Sequence, residues 1–148
     1  MSATIRRAGL ADLDALAALF DAYRRFHAQP GDPGRARDFL RERMQRNESV
    51  VLIATRNGIA VGFTQLYRMF SSVRTARIWI LNDLFVAEDV RRGGIARALL
   101  DAAAQFGREN GAARIMLETG RDNAAARALY RAAGWGEDVT QWYSLPLA

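Results

Sequence analysis

The stretch FVAEDVRRGGIARALLDAAAQ, Phe85 to Gln105, sets Arg91, Arg92, Gly93 and Gly94 between an apolar run and a helical pattern. A helix N-terminus carries unpaired N–H groups and a partial positive charge, so it attracts phosphate oxygens. Glycine lets a ligand close on the backbone and accepts positive φ. Arginine adds fixed charge and forked donors. The four residues therefore read as a pyrophosphate cradle. The alternative is a loop that uses glycine for its turn and arginine for solvation. Two common phosphate motifs are excluded. A GxxxxGK[ST] loop needs a Gly-Lys dipeptide, which the chain lacks, and a dinucleotide GxGxxG belongs in a first βαβ unit, whereas this junction comes late with a different spacing.

Other reactive chemistry is sparse. There is no cysteine, which removes disulfides, thiolate metal ligands and a cysteine nucleophile. His27 is the single histidine, so a Ser-His-Asp triad or a zinc site would rest on it alone, and no metal is expected. The net charge of +5 is carried by arginine scattered along the chain. Such a balance fits nucleic acid, an anionic cofactor or a solvated surface. None of the familiar nucleic-acid motifs is present, so no nucleic-acid partner is expected.

The elements that must position the junction follow from periodicity and turn signals. Half of the 148 residues are hydrophobic, which suits one globular domain over residues 1–148. No run approaches the length of a membrane span and no signal-like apolar segment opens the chain, so a cytoplasmic protein without membrane contact is expected. TIRRA from Thr4 reads as a strand, and Asp12 as the N-cap of a helix carrying Leu13, Leu16, Leu19, Phe20 and Tyr23. Asp32-Pro33 opens a second helix through Met44. Asn57-Gly58 marks a tight hairpin within SVVLIATRNGIAVGFTQLY, and RIWILNDLFV from Arg77 is a long strand. The helix after the junction presents Ile95, Leu99, Ala103 and Phe106 on one face and stops at Asn110-Gly111. ARIMLET is a further strand, NAAARALYRAAG a short helix closed by Gly134, and VTQWYSLPL a final strand. The order β-α-α-β-β-β-α-β-α-β predicts an α/β fold, a mixed central sheet with helices on both faces.

With these elements in place, the chain resembles the GNAT N-acetyltransferases. Their acetyl-CoA signature [QR]-x-x-G-x-[GA], between a strand and a helix, is filled by Arg91, Gly94 and Ala96. Downstream, RDNAAARALYRAAGW is similar to the family's N-x-x-A-x-x-[LF]-Y-x-x-x-G-[FW] segment. Upstream, LNDLFV resembles the fourth strand of the histone/polyamine-type and spermidine/thialysine acetyltransferases. The resemblance implies the GNAT acyl-CoA N-acyltransferase fold, acetyl-CoA as co-substrate, and direct transfer to a primary amine in a ternary complex. The acceptor would be a small-molecule amine or a protein amine, and a homodimer is within the family's habits.

The same resemblance distributes roles. Leu84, Phe85 and Val86 would offer main-chain groups to the pantetheine arm, and an amide there would polarise the thioester carbonyl. Arg91, Arg92, Gly93, Gly94, Ile95 and Ala96 would hold the pyrophosphate. Tyr130 matches the general acid and Asn123 a CoA-binding residue; seven residues apart, they project from one side of a helix, about 10 Å apart along its axis. The base is open. Polyamine-type relatives carry glutamate where this chain has Asn82, which takes no proton usefully. Asp83 and Glu118 are the candidate carboxylates. Simple alternation turns Asp83 away from the face of Asn82, and a bulge would re-aim it. Tyr23, His27 and Asn82 would line the acceptor. A second reading keeps the fold without efficient catalysis, as a CoA-binding regulatory domain, and rests on the missing glutamate.

Overall fold

The computed structural model describes residues 3–148, which fall into two compact units, one ending at Glu118 and one spanning Thr119–Ala148. The first holds β1 (Thr4–Arg7), α1 (Leu13–Phe26), α2 (Pro33–Gln45), β2 (Ser49–Arg56), β3 (Ile59–Ser71), β4 (Ala76–Val86), α3 (Ile95–Glu109) and β5 (Arg114–Met116). Asp32 accepts from the Arg35 amide at 3.1 Å and Pro33 supplies the first turn, as the dipeptide predicts. Asn57 and Gly58 both have positive φ, 54° and 76°, the condition of a two-residue hairpin turn. Asp12 departs from its expected capping role. Its carboxylate caps no α1 amide; it accepts from Arg6 at 2.7 and 2.9 Å and from the Gly9 amide at 2.9 Å. That forked pair holds its carboxyl down at about 2.

The strands form one sheet in the order β1-β2-β3-β4-β5, antiparallel except for the parallel β4–β5 pair. Strand alternation divides its residues between two layers. Val51, Ile53, Phe63 and Phe85 join Leu13, Leu16, Phe20, Ala36 and Leu40 in one core, so α1 and α2 cover that face. Burying a side chain such as Leu16 or Leu40 contributes about 1.5–3 kcal/mol. The helix α3 covers the other face. A Cβ on Gly62 would lie 3.4 Å from Leu99, and Trp79 meets the Phe106 ring edge-on at 5.3 Å. Helices on both faces of a mixed sheet is the expected architecture.

The second unit contains α4 (Ala124–Ala132). Asn123 caps it, its Oδ1 accepting from the Ala126 amide at 3.2 Å. At the other end Gly134 adopts φ 93°, Trp135 N–H reaches the Tyr130 carbonyl at 2.9 Å and Gly134 N–H reaches Arg131 at 3.0 Å, a Schellman closure. The expected final strand is absent, because no described residue after Ala132 lies in a strand. Its residues favour extended backbone, but a strand exists only where another strand takes up its N–H and C=O groups.

Candidate active site

The fourth strand carries the first feature of the site. Gln65 pairs with Asp83, yet the next residue, Leu66, pairs with Leu81, so Asn82 is an extra residue opposite no partner. This is a β-bulge, and it changes which side chains share a face. Without it, Asp83 and Leu81 would point the same way. With it, Asp83 lies with Phe85, Gln65 and Phe63 on the α1–α2 face, while Leu81 pairs with Leu66 on the other. Asn82 itself is exposed, and its carbonyl accepts from the Tyr23 hydroxyl at 3.3 Å.

Asp83 is 5% exposed. Burial pushes its carboxyl up to about 6, opposed in part by the hydrogen bond that Gln65 Nε2 donates to Oδ2 at 2.6 Å. Thr64 Oγ1 donates to the Asp83 carbonyl at 2.7 Å. A carboxylate poised just below neutral pH suits proton abstraction. Tyr67 also sits on β3; its phenol is raised by burial and by the Asp83 charge. Glu118, the other expected carboxylate, is exposed two residues past β5.

The second feature is an open strand edge leading to a helix N-terminus. The strand β5 pairs with β4 only at Ile78, Trp79 and Ile80. From Leu81 through Leu84, Phe85 and Val86, β4 has no neighbouring strand on that side, so its edge can accept an extended partner. The chain then reaches α3 through a 3₁₀ turn at Glu88–Val90. Gly94 occupies the N-cap in the left-handed region, φ 78°, and no side chain caps the helix. The first intrahelical bond is Ala98 N–H to the Gly94 carbonyl. The amides of Ile95, Ala96 and Arg97 therefore precede the helical ladder, the arrangement that suits a phosphate. The Ile95 side chain is buried in the core. A Cβ on Gly94 would meet no atom within 4 Å, so glycine is required there by φ and not by crowding.

The arginines behave differently from one another. Arg91 turns its side chain back to the strand: Nε donates to the Val86 carbonyl at 3.0 Å, and the guanidinium lies 5.2 Å from the Phe26 ring centre and 5.4 Å from that of Phe85. It thereby links the glycine-arginine junction to β4 and to the end of α1. Arg92 is exposed and held at φ 72°, a conformation that costs about 1–3 kcal/mol outside glycine. A third arginine, Arg56 at the end of β2, comes to the same place. A Cβ on Gly93 would lie 3.2 Å from its Nη2. Hairpin geometry brings it there, and no spacing pattern in the sequence points to it.

At the end of α1, Tyr23 and His27 meet edge-on at 4.7 Å, and Tyr23 also contacts Phe63 and Phe85 at 5.8 and 6.0 Å. Phe26, exposed, contacts His27 at 5.3 Å. The structure thus brings Tyr23, His27 and the Asn82 backbone to one wall. In the second unit, Asn123 and Tyr130 lie at the cap and in the last turns of α4. Tyr130 is half-buried beside Trp135, and burial raises its phenol, which stays protonated at neutral pH. Besides Arg56, the residues that spacing does not single out are Thr64, Gln65 and Tyr67. They read as ordinary members of a half-buried strand.

Comparison with known proteins adds to this geometry. The acetyltransferase (GNAT) family profile matches residues 16–135. An uncharacterized N-acetyltransferase, YhfO, of Bacillus subtilis is 47% identical over 135 residues, 91% of each chain. A crystal structure described as a probable acetyltransferase superposes with a TM-score of 0.94 at 41% identity, covering 98% of both chains. A ribosomal-protein-alanine N-acetyltransferase from Brucella melitensis shares the fold, with a TM-score of 0.84 at 23% identity over 99% of this chain and 100% of its own.

Proposed function

The chain belongs to the GNAT acetyltransferase family and is an N-acetyltransferase, and from that premise we propose that it moves an acetyl group from acetyl-CoA directly to a primary amine. The observation that carries this reading is the bulge at Asn82, which sets a buried, proton-accepting Asp83 on the strand whose edge lies open. Acetyl-CoA brings the acetyl group as a thioester. Leu84, Phe85 and Val86 offer main-chain groups to its pantetheine arm, and an N–H there polarises the carbonyl. The N-cap Gly94 and the free first-turn amides of Ile95 and Ala96 hold the pyrophosphate, with Arg91, Arg92 and Gly93 around it and Arg56 alongside. Asn123 contributes a further CoA contact.

A primary amine has a pKa of about 10 and reaches the site as an ammonium ion. Asp83 takes its proton, and the neutral amine attacks the carbonyl. Tyr130 then gives a proton to the departing thiolate. Tyr23, His27 and Asn82 receive the acceptor, and exposed Glu118 attracts its positive charge. The acceptor class is an amine on a small molecule or on a protein. A cytoplasmic homodimer completes the proposal. Its support is the exposed apolar run Val139, Trp142, Tyr143, Leu145 and Leu147, and sedimentation at two concentrations tests it.

Purified protein incubated with acetyl-CoA and a panel of amines should release CoA. A thiol reagent reads this cleanly, since the protein has no cysteine to react. Absence of both acetyl-CoA binding and CoA release with every amine would refute the proposal. The absence of glutamate at position 82 favours one other reading, a CoA-binding regulatory domain. Tight acetyl-CoA binding with no turnover across the panel would select it.

A further inference from the structure

Asp83 is gripped by two consecutive residues of β3. Thr64 holds its carbonyl at 2.7 Å and Gln65 holds Oδ2 at 2.6 Å. Both side chains belong to fully buried residues. Gln65 keeps this grip at a cost, because its other polar atom, Oε1, is buried with no hydrogen-bond partner. Turning the amide over would set Oε1 against the carboxylate and lose the donor, so an ionised Asp83 fixes which end faces it. A buried glutamine of this kind contributes less to stability than an apolar residue of its size would, so packing alone does not account for it.

We propose that Gln65 is a positioning residue for the acetyl transfer: by occupying Oδ2 it directs Oδ1 to the acceptor amine and sets the pH above which Asp83 takes the proton. The inference rests on the reading of Asp83 as the base. In that step an ammonium N–H bond breaks, its electron pair stays on nitrogen, and the proton bonds to Oδ1, leaving a neutral amine and a neutral carboxylic acid. The Gln65 bond is strongest while Asp83 is charged, so it favours the ionised form and opposes burial. Tyr67 faces Asp83 from β3; the Gln65 side chain also reaches that phenol, Arg43 of α2 and Glu48 act on it, and Tyr23 of α1 reaches the adjacent Asn82 carbonyl.

Two variants and two readouts test this. Gln65→Met keeps length and volume but removes the donor, and Gln65→Glu places a second carboxylate beside the first. The acid limb of kcat/KM for an accepted amine, and the NMR titration of the Asp83 carboxyl in the free enzyme, should both move to higher pH. The expected move is about one unit in Gln65→Met, the loss of one charge-assisted hydrogen bond, and more in Gln65→Glu, where two carboxylates share a proton. Above the shifted limb, kcat of Gln65→Met should stay below wild type, because Oδ1 is no longer held toward the amine. An unmoved titration in a folded variant overturns the role of Gln65. Wild-type activity in Asp83→Asn overturns the base reading instead, so the two failures are distinct.

Discussion

Replacing Asp83 by asparagine should abolish most activity and at the same time stabilise the protein at neutral pH. The carboxyl is buried and lies at about 6, against 3.8 for an ordinary aspartate. Because the folded state binds this proton more tightly than the unfolded chain, the contribution to stability is full below about pH 4 and is lost as pH rises through about 6. A difference of about two units corresponds to a burden of about 3 kcal/mol above pH 7. Asparagine retains an oxygen for the Gln65 donor and carries no charge, so it relieves most of that burden. For a chain of this length the gain corresponds to roughly 6–12 °C in Tm. Urea unfolding from pH 4 to pH 8, followed by tryptophan fluorescence, measures it. The advantage of the variant should nearly vanish at pH 4, where the folded wild-type carboxyl is already neutral. In the same samples CoA release should fall about 10²–10⁴-fold, the usual share of a general base. A variant less stable than wild type at pH 7.5, or a difference that does not change with pH, would refute the argument that Asp83 is a charge held at a cost for its chemistry.

Gly94→Val should raise the KM for acetyl-CoA more than it lowers kcat, because a β-branched residue resists φ 78° and its side chain enters the space before the first-turn amides; an unchanged KM counts against the cradle. Tyr130→Phe should lower kcat about 10²-fold or more with little change in acetyl-CoA affinity, and wild-type turnover would remove the acid assignment. Gly62→Ala should destabilise by about 1–3 kcal/mol in denaturant titration, since its Cβ would sit 2.9 Å from the Phe85 carbonyl oxygen and push β4 outward; an unchanged midpoint would contradict that close approach.

Local signals were legible where local chemistry decides the outcome. Asp32-Pro33 starts α2, Asn57-Gly58 turns the hairpin, and Asn110-Gly111 and Gly134 end their helices, each through dihedral preferences or side-chain hydrogen bonds within a few residues. The same locality explains why RRGGIA reads as a helix N-terminus open to phosphate. Where pairing with distant chain decides, the reading failed or stayed open. The tail VTQWYSLPL has strand-forming residues but no strand. Asp12 is a local failure: it had two partners in reach, and it pairs with Arg6 rather than the helix end.

The sequence by itself therefore determined the order of elements through α4, the family pattern and the position of the glycine-arginine junction, because each is carried by residues adjacent along the chain. Only the tertiary structure decided which face Asp83 takes. Register between β3 and β4 leaves Asn82 unpaired, and that one extra residue moves Asp83 onto the α1–α2 face, into contact with Gln65 and out of solvent. A period of two makes the facing of every side chain depend on register, and register is a property of two strands together.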